Sequence, residues 1–394
     1  MTPNRILRSK DGFRRAQLAI AALFCILGFQ YGTWASRLPV LKAKLHLTEA
    51  ELGLLLMACG VGAAVSFPLV TILMRRLGSR RLAGMSAVGL GLLLPLLAMA
   101  PDYPVAVLIV GCDGVAVGCL NVAMNAQGAA LEVAYQRTAM ARFHATFSGG
   151  ALGAALLASG MNLVTPSLAA HFGVATVLIL LLVAYAGPGL LTEERQQPAE
   201  APPRQTGRRT FTMPSRVTLW MGGAMVFGTV TEGAMNDWSA LYMKDVVNAT
   251  PELAPMGIAV VSVMMVLARV FADGWRTRWG DGRIVRVGSA LAGAGLALAL
   301  LAGGVVPALI GFACVGLGIA AATPCIYVAA ARQGSEALAL VAAMGTTGLL
   351  AGPAMIGFIA SAGSLVWGMG AVAVSALLVS LCTTQIRWMA PTDA

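Results

Sequence analysis

The chain alternates between apolar runs of about twenty residues and short polar joins. The runs cover residues 15–37, 50–74, 82–100, 104–129, 139–162, 167–191, 217–242, 256–275, 285–304, 306–331, 337–361 and 365–386. Each is long enough to cross a hydrocarbon core of about 30 Å as a helix. The short alternating segments that a membrane β-barrel needs do not occur. The pattern predicts an all-α membrane protein with twelve transmembrane helices. Joins at 101–104, 163–166, 305–307 and 362–364 are short, so consecutive helices must run antiparallel. The longest polar stretch, Glu193 to Arg209, is Pro-rich, charged and free of apolar period. It reads as a flexible tether. The expected organisation is an N-terminal six-helix half over 1–191, a cytoplasmic linker over 192–216 and a C-terminal six-helix half over 217–394.

The two halves echo each other. Gly111, Gly118 and Glu132 are answered 200 positions later by Gly311, Gly318 and Arg332. Trp34-Ala-Ser-Arg-Leu38 is answered at an offset of 204 by Trp238-Ser-Ala-Leu-Tyr242. The basic run Arg75 to Arg81 is answered at 202 by Arg276 to Arg283. Nearly equal offsets imply two pseudo-symmetric six-helix bundles, and duplicated membrane halves are a transporter design.

Composition agrees. The chain is 58% hydrophobic and 11% charged, with a mean hydropathy of +0.79. A soluble domain carries about 25% charge, so the surface must face a lipid bilayer. The first run follows Arg5, Arg8, Lys10, Arg14 and Arg15. A secretory signal starts in this way, but this run is too long and is followed by no small-x-small cleavage site; it reads as the first membrane helix. The net charge is +10, yet its distribution argues against a nucleic-acid partner. With the amino terminus inside, all of the 27 Lys and Arg except Arg37, Lys42, Lys44 and Lys244 fall on or near the cytoplasmic side. That is the positive-inside rule, and it places both termini in the cytoplasm of a bacterial inner membrane. The seven cysteines all lie in apolar runs without a Cys-x-x-Cys pair, and His46, His144 and His171 are scattered. No metal site, cofactor or disulfide frame is indicated. The phosphate-binding loop of an ATP-driven pump is missing, and no enzyme site emerges.

Here the chain resembles the major facilitator superfamily. The resemblance covers nearly its whole length through twelve helices, 6+6 repeats and a central linker. The superfamily's G-x-x-x-D-R-x-G-R-R loop between its second and third helices is matched at Arg76, Gly78, Arg80 and Arg81. Thr71 stands for the first Gly and Arg75 for the Asp. In the family that Asp helps latch the cytoplasmic side, so the resemblance does not supply the latch here. Arg269 and Asp273, at i and i+4, offer a substitute ion pair. The segments Asn121 to Glu132, Arg142 to Ser148 and Glu232 to Leu241 resemble the MosC/YbjJ-like bacterial permeases, relatives of the fucose permeases. That resemblance implies a sugar-like or amino-cyclitol substrate. Proton-coupled fucose permeases carry acidic residues where Asn121 stands and near Thr33. Neither position is acidic here, so their proton pathway does not transfer.

Polar side chains inside a membrane helix are costly and need a partner, a cavity or a function. Asp113 lies about 13 Å into the fourth span by helix rise. As the neutral acid it is a candidate proton carrier; the alternative is a packing hydrogen bond. Asn121 and Asn125 share one helix face, and paired carboxamides both donate to and accept from hydroxyls. The seventh span holds Glu232, Asn236, Asp237 and Trp238. Glu232 is a candidate for binding a hydroxyl or ammonium group or for carrying the coupled proton, because no cationic partner is obvious nearby; Asp237 is a further proton candidate. Trp34 and Trp238 belong either to a cavity that stacks sugar rings or to the interfacial aromatic belt. Gln30, Tyr31, Thr323 and Tyr327 are secondary cavity candidates. Arg142 is expected to bind a cytoplasmic carboxylate such as Glu132. His144 reads as a structural residue or a neutral-pH titrating group, and Arg37, Lys42 and Lys44 as interfacial anchors.

The reading is a monomeric secondary active transporter that moves a small polar solute, a sugar, polyol or amino-cyclitol, across the inner membrane by alternating access with proton coupling. The competing reading is a drug or metabolite efflux proton antiporter. Ser148-Gly149-Gly150-Ala-Leu-Gly153 lacks the proline of the exporters' G-P-x-x-G-G signature, whereas Gly352-Pro353 keeps that reading open.

Overall fold

The computed structural model describes residues 10–192, 214–386 and 388. Arg5, Arg8 and most of the expected linker lie outside the described residues. In hydrocarbon only the chain itself can satisfy its N–H and C=O groups, and every regular element among the described residues is a helix. They are α1 (Lys10–Ala35), α2 (Leu38–Leu45), α3 (Glu49–Met99), α4 (Tyr103–Tyr135), α5 (Met140–Val164), α6 (Leu168–Ala186), α7 (Arg216–Asp245), α8 (Met256–Trp279), α9 (Asp281–Ala302), α10 (Val305–Ile319), α11 (Ala322–Arg332), α12 (Ser335–Ala362) and α13 (Leu365–Thr383). A single 3₁₀ turn, Gly187–Gly189, follows α6.

Local chemistry sets the starts. The Thr48 hydroxyl accepts from the Glu51 amide while the Glu51 carboxylate accepts from the Thr48 amide, a capping box that opens α3. Asp102, Ser167 and Ser215 cap α4, α6 and α7 in the same sense. Each cap satisfies an amide that the first turn leaves unpaired.

The twelve expected spans are all helical, with two differences in how they are divided. The second and third form one 51-residue element, α3, about 76 Å long by helix rise. It crosses twice because it kinks at Gly78, with φ 76° and ψ 164°. Gly280 joins α8 to α9 with φ 78° and ψ 150°. The 202-residue echo is therefore an echo of backbone conformation, because only glycine enters this region without a Cβ clash. The tenth span is broken into α10 and α11 at Ala320–Ala321.

Nine helices among the described residues are long and apolar enough to cross a membrane, and the apolar part of α8, Met256–Ala272, is shorter. α7 has 30 residues, ample length, and is not among the nine. It is the helix that carries Glu232, Asn236 and Asp237.

Within the N-terminal half α3 packs on α4, and α1 on α5. Within the C-terminal half α9 packs on α10 and α13, and α7 on α12. The halves meet through α3–α12, α5–α8 and α2–α7. These meetings are unequal at the two ends of the bundle. One end carries the basic loops at Gly78 and Gly280. At the other, far end, the backbones of Gly53 and Gly357 touch. There Lys42 pairs with Asp245 at 2.8 Å, the Asn162 amide donates to the Pro251 carbonyl at 2.6 Å, and the Ser159 hydroxyl donates to the Glu252 carbonyl. Towards the basic end, Val65, Leu69 and Ile72 of α3 are exposed, and so are Phe67 and Thr71 on roughly the opposite side of the helix. A helix exposed on opposite sides meets lipid on one and open space on the other. The halves are closed at the far end and parted at the basic end.

Gly78→Ala adds a methyl group that meets nothing within 4 Å, so its cost is purely conformational, about 1–3 kcal/mol for an alanine held at positive φ with extended ψ. Thermal unfolding of the detergent-purified protein should show a lower midpoint; an unchanged midpoint would mean that the kink is not held at this φ.

Candidate functional site

Two consecutive residues of α1 reach carboxylates in opposite halves. The Gln30 amide donates to Asp113 of α4 at 2.7 Å. The Tyr31 hydroxyl donates to Asp237 of α7. Asp113 is 5% exposed and Asp237 4%. Neither forms an ion pair among the described residues, where Lys42 takes Glu49 and Asp245, Arg269 takes Glu232, and Arg276 takes Asp281. Burial without a cation disfavours charge unless hydrogen bonds support it. Gln30, Trp34 and Asp113 also line a cavity of about 10 Å³, walled by Leu93, Leu97 and Val110. That is room for one water molecule.

The charged part of the site lies one to two turns away on α7. Arg269 of α8 donates to the Glu232 carboxylate at 3.1 Å and to the Ser148 hydroxyl of α5 at 2.7 Å. This corrects one expectation: Glu232 has a cationic partner, Arg269. The expected Arg269–Asp273 pair falls on a side chain that lies outside the described residues. The Glu232 and Arg269 side chains are 28% and 23% exposed. Asn236 donates to the backbone carbonyl of Glu232 at 3.0 Å, which holds its amide on the Glu232 face.

On α4, Asn125 donates to the Asn121 carbonyl and to its side-chain oxygen, both at 2.7 Å. The two amides form one polar patch. Asn121 is exposed, yet helical geometry sets it roughly 140° from the lipid-exposed Leu108 and 120° from Val133. Its exposure therefore faces away from lipid, towards the space between the halves.

Other candidates fall elsewhere. Trp34 and Trp238 are 2% and 0% exposed. Neither stands in an aromatic belt nor offers an open ring face in this conformation; both are core residues whose indole N–H has no hydrogen-bond partner. Tyr327 is half-buried on α11. Arg142 is exposed, and it does not pair with Glu132 among the described residues: Glu132 accepts from the Met140 amide at 2.9 Å and from the Ala139 amide, capping α5. His144 sets its ring edge against Phe24. Arg76 is exposed at the kink, and Arg80 donates to the Gly187 carbonyl at 2.9 Å.

The sequence reading missed three residues. Arg37 is not an interfacial anchor: it is 1% exposed, donates to His171 at 2.9 Å and binds Asn162. Asn162 is the residue whose amide reaches Pro251, so Arg37 supports the far closure. Gln127 is fully buried and ties Ser79 at 2.7 Å to both backbone groups of Leu191. Lys42 bridges Glu49 and Asp245. Burial works against its charge, but its hydrogen bonds to the Asp245 and Glu49 carboxylates outweigh this and hold its pKa above the usual lysine value. A raised lysine pKa gives a contribution fully present below the ordinary value, about 10.4, and lost only as pH rises through the folded value. This latch is constant across neutral pH.

The family model for the Major Facilitator Superfamily matches residues 19–336. An uncharacterised MFS-type transporter of Yersinia pestis is 32% identical over 373 residues, covering 92% of this chain and 94% of the relative. Membrane protein MosC of Rhizobium meliloti is 30% identical over 367 residues, covering 90% and 86%. Among solved structures, a point mutant of the nucleoside transporter NupG superposes with a TM-score of 0.73 at 15% identity, covering 95% of this chain and 99% of that one. At that identity the likeness speaks for the fold.

Glu232→Gln and Arg269→Gln should each lower the thermal midpoint, because each leaves a partner unpaired in a half-buried setting. The double variant should lose less than the sum, with a coupling of about 0.5–3 kcal/mol. Strictly additive losses would mean that the pair does not act as a unit.

Proposed function

Because the chain belongs to the Major Facilitator Superfamily, we propose that it is a secondary active transporter coupling protons to a small polar solute such as a sugar, polyol or amino-cyclitol. The observation that carries the coupling is the pair of buried carboxylates, Asp113 and Asp237, one in each half, hydrogen-bonded to adjacent residues of α1. An intramembrane carboxylate without a cation is a functional group by default. Glu232, held by Arg269, is better suited to bind solute hydroxyls than to carry the proton.

The polar groups accessible to the open space match a hydroxylated solute. Asn121 and Asn125 offer donors and acceptors from the N-terminal half. Glu232, Asn236 and Arg269 offer them from the C-terminal half. A solute touching both sets favours approach of the halves at the basic end. By the positive-inside rule that end faces the cytoplasm of a bacterial inner membrane, so the closed far end faces outward.

The cycle follows from the Tyr31–Asp237 bond, which spans the two halves. A hydroxyl donating to a charged carboxylate makes a bond roughly twice as strong as a neutral one. Protonation of Asp237 discharges that bond and loosens the far closure, so protonation from outside accompanies opening to the outside. Asp113 on α4, held by Gln30 next to Tyr31 on α1, is the second proton site. A single chain contains both halves of the site, which is consistent with a working monomer.

A thermal-shift screen of the purified protein against sugars, cyclitols, amino sugars and nucleosides should identify a ligand. In proteoliposomes with that ligand, an inward proton gradient should drive accumulation by the wild type. Asp113→Asn and Asp237→Asn should abolish gradient-driven accumulation while ligand counterflow continues. Accumulation by both variants at the wild-type level would remove the two carboxylates from the coupling.

A further inference from the structure

A second cavity lies away from the site, at the basic end of the N-terminal half. It measures about 400 Å³ and is lined by Leu23 of α1, Arg80, Arg81 and Gly84 of α3, and Val183 and Leu190 beside α6. Its walls are apolar and its mouth is cationic. Arg80 is fixed by its bond to the Gly187 carbonyl, while Arg81 is exposed. The stem of Arg15 lies against Gly189, next to the same wall. None of these three arginines forms an ion pair among the described residues.

The surroundings show what the cavity faces. Met85, one turn beyond Arg81 on the same face of α3, is 61% exposed. A large apolar side chain left open at this level of a membrane helix contacts lipid. The cavity is therefore a cleft in the lipid-facing surface whose cationic mouth stands at the boundary between chains and headgroups. Two glycines, Gly84 and Gly187, form part of its lining, and a Cβ on either would meet nothing within 4 Å. The space they leave is not filled by neighbouring helices.

We propose that this cleft binds one anionic phospholipid, with the phosphate held by Arg81 and Arg80 and an acyl chain lying over Val183 and Leu23. Charge complementarity selects the occupant. Guanidinium groups hold phosphate oxygens in a two-pronged geometry, and basic pockets between membrane helices recognise acidic headgroups. A free anion would satisfy the arginines and leave the apolar walls wet; a zwitterionic lipid would satisfy the walls and bring a cation against the arginines. The cleft joins the kinked loop at Gly78 to the end of α6, so an occupant braces the N-terminal half where the linker begins. This inference is independent of the solute and of proton coupling.

Native mass spectrometry and thermal unfolding test it on the purified full chain with added phosphatidylglycerol, phosphatidylcholine or inorganic phosphate. Phosphatidylglycerol should leave one retained lipid and raise the midpoint; the other two should not. Arg81→Gln should weaken retention about fivefold, the weight of one arginine at an anionic surface. Gly84→Leu should fill the cleft and abolish retention while the lipid-free midpoint stays at or above that of wild type; Gly84→Ala, too small to fill it, should retain the lipid. Equal retention of both lipids, undiminished retention in Arg81→Gln and Gly84→Leu, or full stabilisation by inorganic phosphate alone would overturn the lipid site.

Discussion

Helices in a bilayer gain nothing by hiding leucine from lipid, so they associate only where their backbones come close enough for dense packing. The molecule depends on this constraint. Glycines lay α1 against α5, with Gly28 on the Phe147 carbonyl and Gly150 on that of Cys25. They lay α3 against α4, with Gly62 on Gly111 and Gly114 on Cys59. The same device joins the halves: a Cβ at Gly53 would stand 2.8 Å from the Pro353 carbonyl and 3.1 Å from the Gly357 Cα. Contacts inside a half hold throughout a cycle, whereas the α3–α12 contact must separate. Smooth backbone surfaces suit both, because they pack densely and present few side-chain knobs that must disengage.

The repeat duplicates this scaffold but not the chemistry laid on it. Gly78 and Gly280 adopt one conformation, and Trp34 and Trp238 are both buried with an unpartnered indole N–H. The polar groups are single-copy. Asp113 corresponds to Ala313, Asn121 to Ala321, Glu232 to Gly28 and Asp237 to Thr33. Symmetry supplies two bodies able to rock, and the broken symmetry assigns α4 and α7 different tasks. α1 lies between them, and its adjacent Gln30 and Tyr31 contact one carboxylate each.

Much of the fold was legible because hydropathy and helix length are local properties, and the glycine of the basic loop marked its own backbone angle. What the sequence hid was direction around the helix axis. Lipid, a neighbouring helix and a closed cavity all accept apolar side chains, so Trp34 and Trp238 read equally well as belt or cavity residues; both are buried, Trp34 beside the small cavity next to Asp113. Partners distant in sequence were hidden too. Arg37 finds Asn162 and His171, 125 and 134 residues away, and near the end of a span it resembles an anchor. Arg269 bonds Glu232, 37 residues back in the sequence. Local spacing could not nominate that partner, which the packing of α7 on α8 brings within reach. α7 was the exception: its excess polarity was visible in sequence and marks it among the helices of the structure.

The far closure combines contacts that differ in their response to protons. Asn162 and Ser159 donate to backbone carbonyls, which carry no titrating group. Lys42 remains charged through neutral pH because its carboxylate partners raise its pKa. Tyr31–Asp237 joins the halves through a buried carboxylate that lacks a cation, so its strength depends on whether that carboxylate holds a proton. The uncharged bonds and the lysine latch hold the closed state, and in the proposed cycle the aspartate sets how readily it opens. Since Tyr31 follows Gln30 directly, any shift of α1 that breaks one bond also moves the donor to Asp113. In the proposed cycle this couples gate and proton site mechanically through one helix, with no longer pathway required.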